Sequence, residues 1–273
     1  MTGAKLKVMS DLIERHCVHL TAGGLSDRTI DKRRELLRRV DRDLPMGLEQ
    51  ATVEELQGWL ARANWSRQTK ATYYGHIKGF FDWACDERQP HLDWNPAASL
   101  IRPSVPRGAP KPVTDAELAE ALRTAGPFRV SILLAAYAGL RCCELATVDR
   151  RDVNEHTITV VGKGDKTRAI PTADIVWSTV RDQRGKLVRG TAASISARSF
   201  EHFVRVGLAG VTMHRFRHWF ATTMLQAGAD LLTVSELLGH SSPQTTARYC
   251  QITDGQRRSA VATLPVLVAP APS

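Results

Sequence analysis

Histidines, arginines and one tyrosine crowd the last quarter of this 273-residue chain. Thr212-Met213-His214-Arg215-Phe216-Arg217-His218 leads through an apolar, helix-like segment to Leu237-Leu238-Gly239-His240, and Tyr249 stands nine residues after His240. On a helix, His214 and Arg217 lie three apart on one face. Thr212 is placed to cap that helix, which puts His214 in its first turn. Residues 230–238 read as a further helix closed by Gly239, with His240 just past its end. Chemistry on a phosphodiester needs these groups. A guanidinium grips two phosphate oxygens at once. An imidazole gives or takes a proton near neutral pH. A phenol supplies an oxygen nucleophile. The pair His214 and His218 has metal-ligand spacing, but no Glu lies between them. No metal and no cofactor is expected.

Two upstream stretches complete the set. One is Ala138-Gly139-Leu140-Arg141-Cys142-Cys143-Glu144-Leu145; the other is Gly162-Lys163-Gly164-Asp165-Lys166, between two β-like runs. With them the chain resembles the tyrosine recombinase (phage integrase) family. The family's Arg-x-x-Glu-Leu box matches Arg141 to Leu145, and its hairpin lysine matches Lys163. Its His-x-x-Arg-His box matches His214, Arg217 and His218, its Leu-Gly-His box matches Leu238 to His240, and its nucleophile matches Tyr249. The departures are Met213 where Pro is common, Phe216 where Leu is common, and a short segment between Lys163 and His214.

The resemblance implies a mainly α fold with a small β-hairpin, arranged as a two-domain clamp. It also implies a reaction. The Tyr249 phenol attacks a scissile phosphate, forms a 3′-phosphotyrosine and releases a 5′-hydroxyl, and a partner strand reverses the step through a Holliday junction. Arg141, Arg217 and His240 hold the phosphorane's oxygens. Lys163 protonates the leaving oxygen, with Lys166 as its competitor. His214 assists deprotonation of Tyr249 or binds a phosphate oxygen. Glu144 orients Arg141, and His218 is structural or supports the site from behind. The partners implied are double-stranded DNA, a homotetramer on paired sites from a chain that is monomeric in solution, and a directionality factor. Integration of phage or mobile-element DNA is the favoured setting. A type IB topoisomerase and an inactivated DNA-binding regulator are the rival readings.

Around these residues the chain reads as two domains, the size expected for 273 residues. Residues 1–100 read as a helical, core-type DNA-binding domain, with helices over 8–20, 27–40, 53–60 and 67–86. The last has apolar Tyr73, Ile77, Phe80, Phe81 and Ala84 at helical spacing, and Arg67, Lys70 and Lys78 on its polar side. Residues 101–112, with Arg102, Arg107 and Lys111 among prolines, read as a basic extended linker. Residues 113–263 form the catalytic domain: a buried helix over 129–140, strands over 157–161 and 167–171, helices near 173–181 and 197–206, and a last helix over 254–263. The apolar tail 264–268 opens a C-terminal segment, 264–273, suited to docking on a neighbouring protomer. Too few residues precede the first helix for an arm-binding N-terminal domain.

The net charge of +9 is uneven: residues 1–100 hold 15 Lys+Arg against 14 Asp+Glu, and residues 101–273 hold 22 against 14. A basic catalytic half suits nucleic acid. The five cysteines show no CxxC spacing, which suits a reducing cytoplasm. Residues 1–10 lack a signal-peptide core, and no apolar run approaches the ~18 residues of a membrane span.

Overall fold

A computed structural model describes residues 2–249 of the chain apart from 63, 107, 109, 163–165, 241–242 and 248, with side chains from residue 12 onward except at 243. Arg107, Lys163, the expected helix over 254–263 and the tail 264–268 lie outside the described residues. The fold is mostly helical, with one two-stranded antiparallel sheet among the described residues. No described helix is long and apolar enough to cross a membrane. The chain divides into two compact units, Met1–Arg107 and Gly108–Ser273.

The first unit holds α1 (Thr2–Ala22), α2 (Asp27–Asp43), α3 (Val53–Leu60) and α4 (Arg67–Ala84). Helical spacing decides what is buried. Ile30, Leu36, Leu37 and Val40 of α2 meet Ile77, Phe80, Phe81 and Ala84 of α4 in one core, together with Leu12, Ile13 and Leu20 of α1. Each Val, Leu, Ile or Phe among them that is fully removed from water contributes about 1.5–3 kcal/mol. α3 opens on the capping box that the sequence announces: Glu55 N–H donates to Thr52 Oγ1 and Thr52 N–H to the Glu55 carboxylate. α1 starts six residues earlier than the sequence pattern suggested, at Thr2 rather than Val8.

The second unit begins with α5 (Asp115–Arg123), opened by a capping box of Thr114 and Glu117. α6 (Arg129–Tyr137) follows, with Ile132 to Ala136 all buried. The sequence suggested a helix running to Leu140. The helix stops at Tyr137 because Gly139 adopts φ +64, and the chain turns there into α7 (Cys142–Leu145). Strands β1 (Thr157–Val161) and β2 (Thr167–Pro171) pair with Val160 opposite Arg168 and Ile158 opposite Ile170. Then come α8 (Asp174–Val180), α9 (Ala192–Arg205), α10 (Met213–Gln226), α11 (Leu231–Leu238) and α12 (Pro243–Ala247). α6 packs on α10 and α8 at the centre of this unit.

The start of α10 differs from expectation. Thr212 has cap-like backbone angles, but its side chain makes no capping bond. Arg215 anchors the helix instead. Its guanidinium donates to Lys111 O, Pro112 O and the Glu117 carboxylate, and its own carbonyl accepts from Val113 N–H. Trp219 Nε1 adds a bond to Asp115 Oδ1 at 2.7 Å. The helix that carries the motif histidines is thereby fixed to the opening segment of its own unit.

Candidate active site

Two tight turns, each closed by a left-handed glycine, frame the site. Gly139 follows α6, and a Cβ there would meet Leu238 Cδ2 and Phe220 Cδ1 at 2.9 Å, so the turn sits hard against α10 and α11. Gly239 closes α11 with φ +61, and a Cβ there would meet the Arg168 guanidinium at 3.0 Å. Only glycine combines that backbone with that approach. The turns present their carbonyls inward. Arg217, 1 % exposed, donates from Nη1 to Gly139 O and from Nη2 to Leu238 O, the latter at 2.6 Å. Arg141 donates from Nη2 to Gly239 O at 3.1 Å.

Glu144, 2 % exposed, is the common acceptor. It takes Arg141 N–H at 2.8 Å, Arg141 Nη1 at 3.0 Å, and a two-point grip from Arg168 at 2.8 and 2.9 Å. Arg217 Nη1 stands 3.8 Å away. Burial opposes its charge, but the Arg168 hydrogen bonds, the Arg141 N–H and the surrounding guanidinium groups outweigh that and hold the carboxyl below the ordinary range. Arg168 also donates from Nε to Leu237 O at 2.8 Å, so one side chain ties β2, α7 and α11 together.

Three guanidinium groups thus surround one carboxylate, which leaves the cluster cationic. Burial, then repulsion from Arg141, lowers Arg217 to about 9. Its Nε–H is buried with no partner among the described residues. A buried donor without an acceptor is costly, and an anionic oxygen would satisfy it. His240 sits at the same place. Its Nδ1 lies 2.7 Å from the fully buried Thr246 Oγ1. Burial first, then Arg217, Arg141 and Arg168, lowers its pKa to about 4, so the ring is neutral at pH 7. In the tautomer where Thr246 donates to Nδ1, Nε2–H is a donor for a further oxygen.

Tyr249, 8 % exposed, packs with Phe220, Ala221, Val234 and Leu238. Its Oη lies 2.5 Å from His218 Nδ1. The His214 ring packs edge-on against His218 with centroids 4.2 Å apart.

The motif residues Arg141, Glu144, Arg217 and His240 come together through these contacts, and Tyr249 is joined to the same α10 helix through His218. His214 is exposed although Arg217, three residues on, is buried. Sequence reasoning had His214 assist Tyr249 or bind a phosphate oxygen; the histidine within hydrogen-bond distance of the Tyr249 hydroxyl is His218, which it left in a supporting role. Arg168 and Thr246 were missed altogether. Arg168 had a signal. It alternates with Ile170 on the inward side of β2, and an arginine on a buried strand face needs a partner.

The residues expected to face DNA scatter more. Lys78 and Arg102 line one groove of about 780 Å³ in the first unit, with Gln68, Tyr74 and Val105. Lys78 also pairs with Asp82 at 2.7 Å. Lys70 Nζ donates to Ala61 O, and Arg67 is exposed on the same helix. Lys111 belongs to the second unit and lends its carbonyl to Arg215.

Comparison with known proteins gives one consistent result. The sequence profile described as "Phage integrase family" matches residues 116–256. The chain is 35% identical over 276 residues to the tyrosine recombinase XerC of Corynebacterium efficiens, covering 89% of this chain and 87% of that one. It is 31% identical over 233 residues to the tyrosine recombinase XerD of Vibrio cholerae, covering 74% and 76%. Among solved structures, a lambda integrase(75-356) dimer bound to a COC′ core site has a similar fold, with a TM-score of 0.73 at 18% identity, covering 88% of this chain and 94% of that one.

Proposed function

The chain belongs to the phage integrase family and is a tyrosine recombinase, and from that premise we propose how its residues cut and rejoin DNA. Tyr249 Oη bonds to the scissile phosphorus, the bond from phosphorus to the 5′-oxygen breaks, and a 3′-phosphotyrosine keeps the bond energy. Lys163 gives the leaving oxygen its proton. Arg141, Arg217 and His240 hold the non-bridging oxygens, and Glu144 sets the two arginines. No metal or cofactor takes part. The observation that carries this reading is the convergence of Arg141 and Arg217 on Glu144 and on the carbonyls of the Gly139 and Leu238–Gly239 turns. It leaves the Arg217 Nε–H without a partner among the described residues, in a cationic pocket where a phosphodiester would sit. Losing one such donor should slow cleavage about 10²–10³-fold.

The wider reading follows. The enzyme binds duplex DNA with both units and acts as a homotetramer on paired sites in the bacterial cytoplasm. It integrates and excises mobile or phage DNA, with a directionality factor. A second setting, chromosome-dimer resolution, is favoured by the 35% identity to a XerC recombinase. The test starts from a random-sequence duplex library. Duplexes retained by the protein are nicked beside each position in turn and run on a denaturing gel with the parent chain and with Tyr249→Phe. A covalent band in the parent that vanishes in Tyr249→Phe supports the reading; a band that survives refutes it. Two unlike selected sites point to integration, and one site present near the replication terminus points to dimer resolution.

A further inference from the structure

We propose that His218, rather than His214, is the base that takes the proton of Tyr249. The inference deepens the proposed function and rests on Tyr249 being the nucleophile.

The geometry is specific. The Tyr249 ring is buried against Ala221, Phe220, Val234 and Leu238, so the phenol has little freedom to swing. The hydroxyl reaches the turn of α10 that precedes Ala221. There it meets His218 Nδ1 at 2.5 Å, with the ring centroids 5.2 Å apart. A general base must stand within hydrogen-bond reach of the proton it removes, and His218 does. His214 is exposed, and its ring lies edge-on to His218. That placement suits a group that polarises His218 or meets a phosphate oxygen.

The step balances as follows. The Tyr249 O–H bond breaks and its proton passes to Nδ1 of neutral His218, whose own proton is on Nε2. The freed electron pair of Oη forms the bond to phosphorus, and the bond to the 5′-oxygen breaks with its electrons. The leaving oxygen is protonated by the acid of the proposed reading. When an incoming 5′-hydroxyl reverses the reaction, His218 returns its proton to the departing phenolate. Arg217 and His218 are adjacent in sequence, so the helix that brings the phosphate-holding guanidinium also brings the base.

The test uses the full chain and the selected, nicked duplex described above, in single turnover. His218→Asn keeps a polar atom near the position of Nδ1 but cannot take a proton. It should bind the duplex as the parent does and form the covalent adduct slower by on the order of 10²–10⁴-fold, the usual contribution of a positioned base. His218→Ala should be equally slow, and imidazole added to the buffer should restore part of its rate. His214→Ala should lose less. A second measurement needs no DNA. In ¹⁵N-histidine-labelled protein, the signal that disappears in His218→Asn should shift in Tyr249→Phe. Adduct formation by His218→Asn within threefold of the parent would overturn the proposal, as would an unshifted signal or absence of imidazole rescue. Loss of adduct only in His214→Ala would assign the base to His214. An adduct that persists in Tyr249→Phe would instead refute the nucleophile, and with it the reading on which this base depends.

Discussion

Two arginine clusters, one in each unit, are built in opposite ways. In the first, Arg39 lies over the rings of Tyr73, Trp65 and Trp59 at 5.0, 5.5 and 5.6 Å, and Arg62 lies 5.2 Å from Trp59 while pairing with Asp43. In the second, Arg141, Arg168 and Arg217 converge on Glu144 and on backbone carbonyls. An aromatic face attracts a cation over a broad range of positions. A buried carboxylate with directed hydrogen bonds fixes each guanidinium in place and in angle. The first arrangement tolerates movement of the guanidinium over the rings. The second does not, as a site that must meet one phosphorus atom requires.

That contrast is broken most directly at Glu144. Glu144→Ala leaves three guanidinium groups facing one another in a buried place, and it should cost about 3–5 kcal/mol of stability in denaturant unfolding. A loss under 1 kcal/mol would mean the cluster is not held by its carboxylate. Arg168→Ala comes next. It frees β2 from α7 and α11 without removing a group proposed to touch phosphate. Cleavage of the nicked duplex should fall roughly 10²-fold through misplacement of Arg141 and Arg217, with DNA binding little changed. Arg168→Lys should recover little, because a lysine cannot make the two-point grip on Glu144.

Acid distinguishes two histidines that share a depressed pKa. His16 of the first unit is 2 % exposed, with both ring nitrogens unpartnered among the described residues. Burial, then His19 and Arg33, lowers it to about 4. His240 is lowered to about 4 by burial and the arginines of the site. Between the ordinary value near 6.5 and about 4, the unfolded chain binds protons that the folded chain refuses, so stability falls as pH drops through that window. His16→Leu should make the decline in melting temperature over pH 6.5–4 shallower. A decline of unchanged slope would show that His16 takes up its proton without cost. The smallest effect is expected at Arg39. Arg39→Gln should cost about 0.5–1 kcal/mol, and a loss several times larger would show that the aromatic pocket is as exacting as the Glu144 cluster.

These cases also show what a sequence can reveal. The capping boxes at Thr52 and Thr114, the Gly239 helix stop and both strand ranges were legible, because each is set by residues within a few positions of one another. The stop at Gly139 was missed: an apolar run looks helical to its end unless the left-handed turn is known. Arg168 was missed because its partners, Glu144 and Leu237, lie 24 and 69 residues away. Periodicity placed it on an inward face but could not say what waited there. His214 and His218 sit four apart in one box, and spacing alone could not tell which would meet Tyr249, 31 residues beyond His218. That choice depends on how α12 brings the tyrosine back onto α10.

The central claim is that Tyr249 forms the covalent bond to DNA beside the arginine cluster. The most direct measurement is mass spectrometry of the trypsin-digested covalent complex formed on a selected, nicked duplex. The account predicts nucleotide mass on the peptide spanning residues 249–257, at Tyr249, and none anywhere in Tyr249→Phe. Nucleotide mass on any other residue, or a fully bound duplex from which no adduct forms, would contradict it.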